Sequence, residues 1–228
     1  MDSHKSEAVP ETGMSDSVRP RVRGVVLAGG RSTRFGDADK AVATLDGRPL
    51  VARVVDAVAA ATDEPPVLSV ATADQAERLR NALDDRAVEP VRDDPSLSGP
   101  LAGLAAAAAA TDAPRLFVCA CDIPLVSPEG IDALRARLAE ADANGDAVGA
   151  VVPVVDDHDQ PLHALYRRSA LDDALGHLAP GDALLTLLDG LAVERVAADA
   201  VDAPLAEATT NVNTRADLAA LRERESTR

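Results

Sequence analysis

In the run Leu27-Ala28-Gly29-Gly30-Arg31-Ser32-Thr33-Arg34-Phe35-Gly36, glycines follow directly on an apolar stretch, and Lys40 stands four residues beyond. A glycine-rich turn at a strand end can gather its backbone N–H groups into a concave anion site. Arg34 and Lys40 would then neutralise phosphate oxygens as negative charge accumulates on them. No G-x-x-x-x-G-K-[ST] can be written here, so this is not a P-loop, and G-x-G-x-x-G is absent too, which weakens a dinucleotide reading. A second run, Phe117-Val118-Cys119-Ala120-Cys121-Asp122-Ile123-Pro124, places Asp122 where an apolar strand ends. In α/β proteins ligand sites form at that carboxyl edge. A hard carboxylate there suits Mg²⁺ bound through one carboxylate, waters and substrate phosphates. Two cations and a metal carboxylate are the equipment of transfer chemistry at phosphorus.

Two further runs lie near the same edge. Gly99-Pro100-Leu101-Ala102-Gly103 opens an alanine-rich segment; its glycines either let the chain approach a flat base closely or simply make the turn. Asn211-Val212-Asn213-Thr214 puts two amides on one face of an extended stretch. They either bind a polar acceptor or cap the last helix, and capping is the simpler reading. Cys119 and Cys121 read as buried strand residues, and no histidine stands at metal-ligand spacing to them. No Ser-His-Asp or paired-carboxylate arrangement for acid–base work is evident.

The elements that must position these residues alternate short β-branched runs with longer helical ones, the mark of an α/β domain with a mainly parallel sheet. Strands are expected at 23–28, 67–71, 87–91, 115–121, 147–155, 162–166 and 191–196. Helices are expected at 49–61, 74–83, 101–110, from Ser127 to about 143, 169–178, 182–188 and 215–224, with Pro49 and Ser127-Pro128-Glu129 as start signals. No internal repeat and no linker interrupts the pattern, so the chain divides into a disordered tail over 1–20, where Met14 is a candidate start, and a single domain over 21–225.

Composition narrows the partners. Hydrophobic residues make up 46% of the 228 and aromatics 1%, so the core is aliphatic and no aromatic platform exists for single-stranded nucleic acid. A net charge of −15, from 38 acidic and 23 basic residues, repels nucleic-acid backbones. Lys5 and Lys40 are the two lysines, an acidic and Lys-poor balance that high intracellular salt favours, and Lys40 is informative for persisting in it. No stretch approaches the ~20 apolar residues of a bilayer span, and the polar N-terminus lacks a signal-peptide core, so a cytoplasmic location is expected.

The chain resembles the molybdenum cofactor guanylyltransferases, within the wider class of Rossmann-like nucleotidyltransferases that open with L-A-G-G-x-x-x-R-x-G…K. The resemblance runs from Gly24 to about Ala220, with LAGGRSTRFG and Lys40, GPLAG, CDIP and NVNT in the family's order. It implies a single-domain α/β three-layer sandwich that transfers GMP from Mg·GTP to the terminal phosphate of molybdopterin, releasing pyrophosphate. By that resemblance Leu27, Ala28, Gly29, Gly30 and Lys40 belong to the GTP site with Gly99, and Asp122 holds Mg²⁺. An aspartate before GPLAG contacts GTP, either Asp93 or Asp94, and Asn211 and Asn213 line the acceptor side. Catalysis falls to Arg34, Lys40 and Asp122. Where the family often carries an asparagine after the second strand, this chain has Val70-Ala71-Thr72-Ala73. Implied partners are GTP, a molybdopterin-type acceptor and a molybdoenzyme or cofactor-biosynthesis protein. The rival readings are a CTP-dependent sister enzyme, a cobamide-precursor or sugar-phosphate nucleotidyltransferase, and a non-catalytic carrier of nucleotide or cofactor.

Overall fold

Seven strands lie side by side in one sheet, most of them short runs bearing Val or Leu. The computed structural model describes residues 19–30 and 40–226; Arg34 and most of the expected N-terminal tail lie outside the described residues. In chain order the elements are β1 (Val22–Leu27), a 3₁₀ turn (Lys40–Val42), the hairpin strands β2 (Thr44–Leu45) and β3 (Arg48–Pro49), α1 (Leu50–Ala61), β4 (Glu64–Val70) and α2 (Ala73–Leu83). There follow β5 (Glu89–Arg92), α3 (Pro100–Ala109), β6 (Arg115–Ala120), α4 (Pro128–Asn144), β7 (Ala150–Val155), β8 (His158–Asp159) and β9 (His163–Arg167). The chain continues through α5 (Arg168–Leu175), α6 (Thr186–Asp189), β10 (Val193–Ala197), α7 (Leu205–Ala208) and α8 (Arg215–Glu225).

The sheet runs β10-β7-β9-β6-β1-β4-β5, with β8 paired to β7 off this path. All neighbours along the path are parallel except at β9, which is antiparallel to both β6 and β7. The expected mainly parallel sheet is therefore correct, and β9 is the reversed strand that sequence alternation cannot orient. Several expected elements are shorter: β7 starts at Ala150 rather than 147, α5 stops at Leu175 where Gly176 follows, and α6 is a single turn.

Two aliphatic cores cover the two faces. On one, Val51, Val54, Val55 and Val58 of α1, Leu79 and Leu83 of α2, and Ile131, Leu134 and Leu138 of α4 pack on Val26, Phe117 and Cys119. On the other, Leu101 and Leu104 of α3 and Leu171 of α5 pack on Val25, Val118 and Tyr166. α1 and α4 thus share a face although their strands step in opposite directions from the centre. The β6–α4–β7 crossover is consequently opposite in hand to the three crossovers through α1, α2 and α3, against the usual uniformity of such units. A third, smaller cluster joins Leu45 and Leu50 to Val212, Leu218 and Leu221, fastening the C-terminal helix over the β2–β3 hairpin. Among the described residues, no helix is long and apolar enough to cross a membrane.

Candidate functional site

From β1 the chain steps outward to β4 and β5, then returns across the sheet to β6. The order reverses between β1 and β6, and a crevice opens beyond the carboxyl ends of strands at such a point. Here it is a cavity of about 200 Å³. One lateral row of the sheet forms its floor: Leu27 pairs in register with Ser69 on one side and Ala120 on the other. These three face the α3 side. Gly29, Gly30, Lys40, Asp93, Gly99, Pro100, Gly103, Cys121, Asp122 and Leu162 complete the lining.

One wall carries the charge. Lys40, at the start of the 3₁₀ turn, donates from Nζ to Asp122 Oδ2, and its ammonium lies 3.4 Å from Asn213 Oδ1. Asp122 is buried at the end of β6; its Oδ1 is buried with no hydrogen-bond partner among the described residues. The backbone pins this corner: Cys121 N–H donates to the Leu27 carbonyl at 3.0 Å and Val212 N–H to the Asp122 carbonyl at 2.8 Å. The second of these bonds carries the NVNT segment to the site. Thr214 then caps α8, its hydroxyl accepting from Asp217 N–H at 3.1 Å while Asp217 accepts from Thr214 N–H at 2.8 Å. Capping and site-building are therefore divided: Thr214 caps, and Asn213 reaches Lys40.

The opposite wall is polar too. Asp93 N–H donates to the Val70 carbonyl at 3.0 Å, which turns the residue into the crevice. Burial pushes the Asp93 carboxyl above the usual carboxylate range, with the Ser69 hydroxyl and the Arg92 charge pulling the other way. Asp94 goes elsewhere. It accepts from Ser96 N–H at 2.8 Å and Ser96 Oγ at 2.6 Å, bonds that hold its carboxyl below the usual range. Of the two aspartates, Asp93 lines the cavity and Asp94 braces the loop. A Cβ on Gly29 would collide with Asp93 Oδ2, and one on Gly103 would collide with Ser69 Oγ and lie 3.2 Å from Asp93 Oδ1. Gly99, with φ of 61°, enters α3 in a conformation glycine tolerates best, and it aims the helix's positive end at the crevice.

Among the expected site residues, Leu27, Gly29, Gly30, Lys40, Asp93, Gly99 and Asp122 come together at the cavity, with Asn213 touching Lys40. Ala28 sits just behind it, its carbonyl accepting from Gln75 Nε2 at 2.7 Å. Asn211 is exposed and outside the lining. Two residues escaped the sequence reading. Gln75, fully within α2, also accepts from Ala71 N–H at 2.9 Å and so ties the ends of β1 and β4 together. Its signal was a glutamine three residues after a Thr N-cap, the spacing of a capping box. Ser69 was passed over as one small residue in an apolar strand. No group of three or more His, Cys, Asp or Glu stands together as a metal cage among the described residues. Cys119 and Cys121 are both buried, as expected.

A glycine-rich strand end, a lysine and a strand-end carboxylate gathered at the switch point of a mostly parallel sheet define a nucleotidyltransferase-type site. The chain belongs to the MobA-like NTP transferase domain family, whose model matches residues 24–191. A molybdenum cofactor guanylyltransferase of Burkholderia lata is 36% identical over 172 residues, which span 74% of this chain and 82% of that one. A probable molybdenum cofactor guanylyltransferase of Natronomonas pharaonis is 34% identical over 208 residues, 89% of this chain and 98% of the relative. Among solved structures, molybdopterin-guanine dinucleotide biosynthesis protein A of Archaeoglobus fulgidus superposes with a TM-score of 0.72 at 26% identity, covering 90% of this chain and 100% of that one.

Proposed function

We propose that this enzyme transfers GMP from GTP to the terminal phosphate of a molybdopterin-type acceptor and releases pyrophosphate. The observation that carries the reading is the Lys40–Asp122–Asn213 cluster at the β1/β6 switch point, facing Asp93 across one crevice. An acceptor phosphate oxygen attacks the α-phosphorus, the new P–O bond forms in line, and the bond to the β-phosphate breaks with its electron pair leaving on pyrophosphate. The nucleophile is already ionised at neutral pH, so no general base is required. Positioning and charge stabilisation are what the protein must supply.

Each wall has its part. Lys40 stabilises charge on the transferred and departing phosphates, joined by Arg34, which lies outside the described residues. Gly29 and Gly30 leave the backbone open to phosphate oxygens, and the N-terminus of α3 favours negative charge nearby. Asp93 receives the nucleoside; Asn213 supports the acceptor side through its contact with the lysine, and Asn211 flanks it. Asp122 fits a divalent cation such as Mg²⁺, because its Oδ1 is a hard, buried oxygen with no protein partner among the described residues. A cation held there by Asp122, waters and substrate phosphates neutralises triphosphate charge when bound. The reaction belongs in the cytoplasm, where nucleoside triphosphates are made, and its product would pass to a molybdoenzyme or another protein of cofactor assembly.

Pyrophosphate release from each of the four NTPs, in magnesium and with or without molybdopterin, tests the proposal. Release with GTP only when molybdopterin is present is the expected result. Release with CTP instead would make the enzyme a cytidylyltransferase, and no release with any NTP would overturn the acceptor assignment.

A further inference from the structure

Gln75 occupies a place that the helix pattern reserves for an apolar side chain. It shares the buried stripe of α2 with Leu79 and Leu83, at four-residue spacing, and is 4% exposed. Burying an amide is costly unless both its ends are bonded, and both are. Its Oε1 accepts from Ala71 N–H at 2.9 Å, and its Nε2 donates to the Ala28 carbonyl at 2.7 Å. Only this orientation of the amide fits, because an N–H can only donate and a carbonyl can only accept. The start of α2 holds the residue in turn, its N–H donating to the Thr72 hydroxyl at 3.1 Å.

What the amide grips is one peptide unit of the glycine-rich turn. The Ala28 carbonyl and the Gly29 N–H lie in the same plane, and in a trans peptide they point in opposite directions; no cis bond occurs among the described residues. Ala28 N–H is already committed to the Ser69 carbonyl at 3.0 Å, so the chain is fixed on the near side of this unit and Gln75 fixes the unit itself. With its carbonyl drawn to Gln75, the peptide turns the Gly29 N–H the other way. Gly29 lines the crevice and Gln75 does not, and the Gly29 N–H has no backbone partner among the described residues. An N–H held in this manner is a preorganised donor for an anionic oxygen. Without the tether the peptide can rotate and present its carbonyl, which repels one.

Resting on the nucleotidyl-transfer reading, we propose that Gln75 is a positioning residue for phosphate binding: through the Ala28 carbonyl it holds the Gly29 N–H toward a phosphate oxygen of the bound nucleotide. It touches no substrate atom itself. A hydrogen bond to a charged oxygen is worth about tenfold or more in affinity, which sets the scale of its loss.

The experiment titrates Mg·GTP and guanosine into wild type, Q75M and Q75E labelled with ¹⁵N-glycine, reading affinities by calorimetry and the Gly29 amide by NMR. In wild type, Mg·GTP should move the Gly29 amide proton downfield and guanosine, which has no phosphate, should not. Q75M keeps a similar volume with neither bond; its GTP affinity should fall about tenfold or more, guanosine binding should hold, and the downfield shift should be lost. Q75E keeps the acceptor for Ala71 N–H, and once ionised it sets a negative oxygen against the Ala28 carbonyl. Its GTP affinity relative to wild type should therefore fall as the pH is raised from 5 to 8. A Q75M that binds GTP as wild type does, or that loses GTP and guanosine equally, would overturn the role of Gln75, the second result marking a packing role. Should Q75M not fold, Q75E decides, and a ratio to wild type that stays near one from pH 5 to 8 would overturn it. Wild type that binds Mg·GTP without moving the Gly29 amide would also overturn the inference and leave nucleotidyl transfer standing. Wild type that binds no Mg·NTP would sink the transfer reading itself, and this inference with it.

Discussion

Replacing His163 by leucine should make the protein more stable, and increasingly so as the solution is acidified. His163 is 1% exposed in β9, across from Cys119, with its ring edge-on to Phe117 at 5.3 Å and 87°. Neither ring nitrogen has a hydrogen-bond partner among the described residues. Burial alone depresses the imidazole from 6.5 to about 4. The folded ring therefore binds its proton more weakly than the unfolded one, so its contribution is flat above pH 6.5 and turns against folding as the pH drops toward 4. With 1.36 kcal/mol for each tenfold change in proton affinity, the full loss is roughly 3 kcal/mol at the acid limit and about 2 kcal/mol at pH 5. For a chain of this size that is about 4–8 °C in melting temperature. Leucine is close in volume and has no polar atom to strand. Urea melts of wild type and H163L between pH 4 and 8 would measure it. H163L should lie above wild type at pH 7 by about 1 kcal/mol, the cost of the orphaned nitrogens, and the gap should open by about 2 kcal/mol at pH 5. Parallel curves across that range would refute the reasoning, since the shared carboxylates cancel in the comparison.

At the site, Lys40→Ala should cost about a hundredfold or more in turnover, the scale of losing one charge-stabilising group, and near-normal turnover would remove the lysine from the mechanism. Asp122→Asn should shift the magnesium titration of activity to much higher concentration; an unchanged titration would count against metal binding at that carboxylate. Gly29→Ala drives a methyl into Asp93 Oδ2, so GTP binding measured calorimetrically should weaken by about tenfold or more with the fold retained. Thr214→Ala removes the hydroxyl that caps α8 and should lower stability by about 1 kcal/mol, visible as a shift in the urea midpoint at constant slope.

Much of this site could be read before any coordinates, for a physical reason. β1 and β6 are apolar strands that end at their chemistry-bearing residues, so strand prediction and motif reading reinforce each other at Gly29 and Asp122. Distance along the chain is what hid the rest. Whether Asp93 or Asp94 faces the crevice depends on the Asp93 N–H bond to Val70 and on Ser96 holding its neighbour, neither of which leaves a trace in spacing. β9 alternates identically whichever way it runs, and only its pairing with both β6 and β7 reveals the reversal. The β2–β3 hairpin had a local signal in Asp46-Gly47, a dipeptide suited to tight turns, but two-residue strands carry no periodicity to accompany it. Asp46 and Gly47 do adopt φ of 50° and 75° there.

The bond from Val212 to the carbonyl of Asp122 also bears on the order in which the molecule is completed. Every strand of the large sheet is present by Ala197, so a chain emerging from the ribosome can assemble its crevice floor before Val212 and Asn213 are made. The segment that supplies Asn213, and the helix that holds it over the β2–β3 hairpin through Leu218 and Leu221, follows all of those strands in the chain. A chain interrupted between Ala197 and Val212 would thus carry the sheet and the Asp93 wall while lacking the clasp beside Lys40.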